Sequence, residues 1–254
     1  MTLYRLMSLN ILTDGLYNYG DSRFHLRAEA INEMIRVTEP DVIGVQELTD
    51  AMKPYLFDTL KKYQLCGQSR GSLFTDEYSA ILFRTDRFRL LDSDTFWLSK
   101  TPEKKGSKHP LSQFPRITTC VHLYDKESQK DFTFFNTHLD HNFKPVRNAQ
   151  AKILSSLIKK HAEGEFIAVT GDFNAPISAL PPVLLEENHL KDTVDPAIGS
   201  TLRGKIGSLI QKNLPIDHIL ISEHMNLISL EKLDSKYAGY YPSDHFPLLA
   251  VISD

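Results

Sequence analysis

No run of 18 apolar residues occurs in the 254-residue chain, so no membrane-spanning helix is expected. The N-terminus, MTLYRLMSLNIL, lacks the basic region, apolar stretch and small-residue cleavage site of a secretory signal. Cysteine is scarce. Cys66 and Cys120 stand alone, form no Cys-x-x-Cys pair, and suit a reducing compartment as buried thiols. A cytoplasmic protein is therefore expected. Neither sign of charge dominates: 29 Lys and Arg against 32 Asp and Glu leave a net charge of −3. That balance exerts no overall pull toward nucleic acid or an anionic membrane. No Gly/Ser linker or low-complexity tract divides the chain, so one domain over residues 1–254 is expected. A chain of this size can bury about three-quarters of its unfolded surface.

What is present is an alternation of apolar runs and helical periods. Strands are expected at 3–10, 41–46, 79–84, 88–97, 116–124, 132–138, 166–170, 216–221 and 246–252. Helices are expected at 24–38, ended by Pro40, and at 51–63 and 145–161. The two halves share a plan. A strand ending at Asn10, a helix, and a strand ending at Glu47 are echoed by a strand ending at Asn136–His138, a helix, and a strand ending at Asp172. This pattern predicts an α/β chain with two packed sheets related by a rough dyad and helices outside. Polar residues gather where strands finish, which is where α/β folds place their sites.

The stretch VTGDFNAP, residues 169–176, poses the functional question most sharply. Asp and Asn are poor strand residues, and read alone Asp172 and Asn174 are turn formers. Other strand ends carry similar residues: Asn10 and Glu47 in the first half, and Asn136, His138 and Asp140 in the second. Asp217, Asp244 and His245 follow late in the chain. The set is rich in oxygen ligands with imidazoles and no thiolate, which favours Mg²⁺ or Mn²⁺ over structural zinc. Glu47, closing the apolar run DVIGVQ, is costly to bury unpaired, and a metal is a natural partner. A hard cation, a base for water and a donor for phosphoryl oxygens together make a phosphate-ester hydrolase. A zinc hydrolase built on His138, Asp140 and His141 is the rival metal reading, but it has no evident fourth ligand.

SLN at 8–10, QE at 46–47, NTHLDH at 136–141, GDFN at 171–174, IDH at 216–218 and SDH at 243–245 occur in an order that resembles the endonuclease/exonuclease/phosphatase superfamily. FWLS at 96–99 and Pro115-Arg116 are similar to a bacterial group within it whose substrate is unassigned. The resemblance implies a deoxyribonuclease I-like four-layer α/β sandwich, two packed mixed sheets flanked by helices. It further implies that Glu47 and Asn10 hold a divalent metal with help from Asp244, and that Asp172 orients or deprotonates the attacking water. Asn174 would bond phosphoryl oxygens. His245 would contact the scissile phosphate, oriented by Asp217, and His138 would pair with Glu77. As partners of carboxylates, His138 and His245 are both expected to be cationic, with raised pKa values. Arg116, Asn136, Asp140 and Arg147 are assigned to the substrate.

The chain departs from familiar members at His218, where many carry an aromatic, and at Thr201-Leu202-Arg203-Gly204, where many have Thr-aromatic-His-Gly. The basic stretch KTPEKKGSKH (100–109) is either a solvated loop or a lid, and YAGYYP (237–242) either packs or stacks on a base or sugar. The expected partner is a phosphate ester, either a small molecule or a nucleic acid, acted on by a monomer without a protein partner. A nuclease using the same site and a non-catalytic metal- or phosphate-binding module are the alternatives.

Overall fold

A computed structural model describes the chain except for residues 16–17, 19, 58–60, 72–75, 165 and 205–212. In the first part, β1 (Leu3–Asn10) leads through α1 (Phe24–Thr38) to β2 (Val42–Leu48), followed by α2 (Lys53–Phe57), β3 (Tyr63–Cys66) and β4 (Tyr78–Arg84). Next come β5 (Phe88–Trp97), β6 (Ile117–Asp125) and β7 (Lys130–His138), then α3 (Lys144–His161) and β8 (Phe166–Asp172). The last elements are α4 (Val183–Glu186), β9 (Leu190–Asp192), β10 (Asp217–Ser222), β11 (Asn226–Lys232) and β12 (Leu248–Ser253).

The strands form two six-stranded mixed sheets, ordered β11-β12-β1-β2-β4-β3 and β5-β6-β7-β8-β10-β9. Inner-face residues such as Tyr4, Leu6, Phe83, Phe134, Ala168 and Ile252 form one core between them. Ile31, Met34 and Ile35 of α1 cover the outer face of the first sheet, and Leu154 and Ile158 of α3 cover that of the second. The result is a four-layer α/β sandwich. Helical spacing places these apolar side chains on one stripe of each helix. Glu39, at φ 43, ends α1 in the left-handed region just before Pro40.

The two strand orders correspond position by position, and so do the pairing senses. β1 runs parallel to β2 as β7 does to β8. Their outer neighbours, β12 and β6, are antiparallel to them. β4 and β10 are likewise antiparallel to β2 and β8. The dyad suggested by two strand–helix–strand halves therefore extends over all twelve strands.

The helix expected at 51–63 is shorter. Only Lys53–Phe57 is helical, residues 58–60 lie outside the described ones, and Tyr63–Cys66 instead pairs along the edge of β4. Two features hold the sheets together close to the site. Gly44 of β2 lies so near the other sheet that a Cβ there would collide with Thr170 Oγ1 and Asn136 Oδ1. Asn136, fully buried, donates to the carbonyls of Val45 (3.0 Å) and Ala80 (2.8 Å) and accepts from Gln46 Nε2 (2.6 Å) and Thr170 Oγ1 (3.0 Å).

Candidate active site

Because each parallel pair runs the same way, β1 and β2 end beside one another, as do β7 and β8. Asn10 closes β1, His138 closes β7 and Asp172 closes β8. Glu47 sits at φ 64, at a register shift in the β2–β4 ladder. A bulge of this kind re-aims a side chain at the rim of a sheet. Asn10 Nδ2 bridges the two carboxylates, donating to Glu47 Oε1 (2.9 Å) and Asp172 Oδ2 (3.1 Å). Thr13 N–H holds the other Glu47 oxygen at 2.9 Å. Asp172 Oδ1 accepts from Asn174 N–H at 2.8 Å, and Asn174, at φ 50, donates from Nδ2 to Leu139 O. GDFN is thus a tight Asx turn and a cluster of cleft-lining groups at once. His245 Nδ1 lies 2.8 Å from Asp217 Oδ2, while Nε2 lies 3.8 Å from Asp172 Oδ2; His138 Nε2 is 3.5 Å from that same oxygen. Fully buried Arg27 ties the loops together by donating to the carbonyls of Ile11, Leu12 and Pro242.

Burial and the Asp217 charge push Asp172 up to about 7, against the pull of His245. Burial opposes a charge on His245, yet Asp217 and Asp172 outweigh it and raise that imidazole well above its ordinary value. His138 moves the other way. Burial, then the Arg116 and Arg70 guanidiniums, hold it well below the ordinary histidine value. A carboxylate near neutrality beside one imidazolium and one neutral imidazole can accept a proton, stabilise an oxyanion and donate a hydrogen bond.

A family model described as "Endonuclease/Exonuclease/phosphatase family" matches residues 7–245. The chain belongs to this family. A solved family structure from Bacteroides vulgatus is 26% identical, with TM-score 0.88, covering 100% of this chain and 99% of that one. A mannosyl-6-phosphatase structure from Bacteroides thetaiotaomicron is 24% identical, with TM-score 0.86 and coverage of 99% and 100%. Tyrosyl-DNA phosphodiesterase 2 of Xenopus laevis is 24% identical over 94% of this chain, which spans 64% of that protein. Family membership makes the protein a divalent-metal-dependent phosphoesterase, and among the described residues no helix is long and apolar enough to cross a membrane.

The donor set suits a hard cation. Glu47, His138 and Asp172 each offer a ligand atom, all within 4.8 Å of one another, and Asp172, Asp217 and His245 form a second such group. Burial first, and then the Asp217 charge, raise Asp172, and a cation at this group would offset both. The carboxylate oxygens are the ligands such a cation takes.

Several sequence expectations are corrected. Glu77 pairs with Arg70 (2.8 Å), not with His138, and burial with the Arg116 and Arg70 charges keeps His138 low although Asp172 lies 3.5 Å away. Asn136 spends its polar atoms on sheet-to-sheet bonds and has none for a substrate. Asp140 accepts from Ser112 Oγ and from the Asn142 and Phe143 N–H groups, which removes it from both the substrate and a zinc site. Arg147 braces the same turn by donating to the carbonyls of Asp140 and His141. Asp244 belongs to neither metal-compatible group, and its Oδ1 accepts from Ser243 Oγ.

Arg116, by contrast, lines the cleft together with Glu47, Asp172, Asn174 and His245. So do Arg70, Phe114 and His141, which sequence reasoning left without a substrate role. Only His141, inside NTHLDH, carried a signal. His218 lies behind the GDFN turn, bonded to Asp192 (2.8 Å) and Ala175 O (3.2 Å). Residues 100–109 supply no described residue to the cleft, although Gly106 packs against Gly71 beside Arg70. Tyr241 lies under the Arg203 guanidinium at 4.6 Å.

Proposed function

We propose that the protein hydrolyses a small phosphate ester by direct in-line attack of water, with Mg²⁺ or Mn²⁺ as the cation. The observation that carries this reading is the convergence of Asn10, Asn174, His138 and His245 on the single buried carboxylate of Asp172. Glu47, with Asn10 beside it, would hold the cation. When bound, the cation neutralises charge on the phosphoryl group and polarises it. Asp172 takes the proton of the attacking water, for which a pKa near the working pH is well matched. His245, held as a cation by Asp217, faces the phosphoryl oxygens as their charge grows, with Asn174 beside it. His138, a neutral imidazole, offers its N–H to the departing oxygen.

A cleft of about 240 Å³ supports a small substrate over a duplex. The free thiols Cys66 and Cys120 support a reducing, cytoplasmic setting. The whole chain, residues 1–254, is taken as one domain acting as a monomer.

The test is a panel of phosphate monoesters, diesters, plasmid DNA and short RNA with Mg²⁺ or Mn²⁺, using Asp172→Asn as the control. Activity on at least one small ester should fall by roughly 10²- to 10⁴-fold in the variant, the range for a lost general base. Folded wild-type protein with no Asp172-dependent activity on any member would make it a binding module instead.

A further inference from the structure

We infer that the substrate is a phosphate monoester, and that Arg116 recognises the second charge of its terminal phosphate. The inference rests on the phosphoesterase reading and narrows it. Arg116 follows Pro115 at the entry to β6, is 4% exposed, and lines the same cleft as Asp172, Asn174 and His245. Arginine is almost never buried without a partner, and the other buried guanidiniums have theirs. Arg70 holds Glu77, Arg87 holds Asp41 and Asp125, and Arg27 is capped by backbone carbonyls. Among the described residues Arg116 has no carboxylate within ion-pair distance. Its Nη2 donates to His141 Nδ1 at 2.9 Å, and its Nε has no hydrogen-bond partner. His141 accepts on that nitrogen, so it orients the guanidinium without cancelling its charge.

Charge and space in the cleft point the same way. Arg70 and His245 are each matched by their own carboxylate, Glu77 and Asp217. Arg116 therefore adds, beside the phosphate-facing His245, a buried cation with no carboxylate of its own. A phosphodiester carries one negative charge, whereas a monoester approaches two near pH 7, its second pKa being about 6. A separate small pocket of about 10 Å³ lies beside Arg116, lined also by Arg70, Glu77, Ser79 and His138. That is about the room one water-sized atom requires. A non-bridging phosphate oxygen fits there, but an ester carbon does not. The guanidinium fork suits two such oxygens at once.

The experiment compares p-nitrophenyl phosphate with methyl p-nitrophenyl phosphate, which share a leaving group, in wild type, Arg116→Gln, Arg116→Lys and Asp172→Asn. Wild type should favour the monoester. Arg116→Gln should lower kcat/KM for the monoester by roughly 10- to 100-fold, the worth of a charge-assisted hydrogen bond, and by much less for the diester. Arg116→Lys should recover part of the loss. Inorganic phosphate binding, measured by calorimetry, should weaken in Arg116→Gln. A wild-type preference for the diester, or equal losses on both esters, overturns the inference while leaving the phosphoesterase reading standing. Absence of Asp172-dependent turnover on either ester counts against that reading instead, and phosphate binding then decides the role of Arg116. Should Arg116→Gln prove unfolded, the wild-type ratio of the two esters decides.

Discussion

Replacing Asn136 by alanine should unfold the protein at lower temperature without weakening its grip on substrate. The side chain makes four hydrogen bonds to groups of both sheets. After truncation Gln46 Nε2 keeps the Gly44 carbonyl at 3.1 Å, and Thr170 Oγ1 keeps only the Phe135 carbonyl at 3.5 Å. The buried carbonyls of Val45 and Ala80 each lose a donor. Two buried groups left short of a partner cost about 1–3 kcal/mol each, so a loss of about 4 kcal/mol is expected. For a domain of this size each kcal/mol moves Tm by roughly 2–4 °C, giving a drop of about 10 °C. Thermal unfolding followed by circular dichroism measures that drop, and steady-state kinetics well below Tm measures KM. KM should stay within about threefold of wild type, a change far below the worth of one hydrogen bond to a charged group. A variant with unchanged Tm and a tenfold higher KM would refute the reasoning and return Asn136 to the substrate. Asn136→Asp should be worse than alanine, since it turns a carboxylate toward two carbonyl oxygens.

Arg70→Met strands Glu77, whose carboxyl burial and Glu47 already raise to about 7 against Arg70 and Arg116. Removing one partner of a buried pair typically costs about 3–5 kcal/mol. Without Arg70 the folded-state pKa of Glu77 rises further above its unfolded value of about 4.3. The folded state then holds a proton that the unfolded chain releases, so stability falls as pH rises through that folded pKa. The Tm deficit of Arg70→Met should therefore widen from pH 5 to pH 9, and a constant deficit would contradict the account. Proton and cation also compete at Asp172, which sits near 7 without metal. Added Mg²⁺ or Mn²⁺ should raise Tm more at pH 8 than at pH 6. Glu47→Gln should blunt the rise at both, and a pH-independent rise would exclude Asp172 from the cation's surroundings.

Much of the frame was legible because it rests on local signals. The 3.6-residue period of Phe24–Thr38 sets the bounds of α1 as expected, and β5 keeps its expected bounds, Phe88–Trp97, with apolar residues at both ends of a polar middle. β11 was not legible: its residues are mostly exposed, so no apolar alternation marks it. β3 and β9 are only four and three residues long, and exist because a neighbouring strand offers an edge.

At the site, the residue types were legible and their partners were not. Asn136 and His138 lie two apart on the same face of β7, so sequence gives them equal standing. Register separates them, setting Asn136 opposite Thr170 and His138 opposite Asp172 at the rim. Glu77 was paired with His138 on the family resemblance, and nothing in the chain announces Arg70, seven residues earlier. The charge on His138 was misjudged because burial and the nearby Arg116 and Arg70 guanidiniums, a placement not visible in the sequence, act against it.

The pairing of β1 with β12 also bears on the order in which the molecule can be made. The second sheet draws on residues 88–222 without interruption, whereas the first joins residues 3–84 to residues 226–253. On the ribosome, β1 emerges first and must wait, one edge open, for the last strand to reach it. Such a contact carries a large loop-closure cost and forms late. His245 lies only three residues before β12, and the Pro242 carbonyl that anchors Arg27 is nearby. Until that strand docks, Glu47, Asp172 and Asp217 have no imidazolium among them. The phosphate-facing cation thus arrives with the final strand, which ties the onset of chemistry to completion of the first sheet.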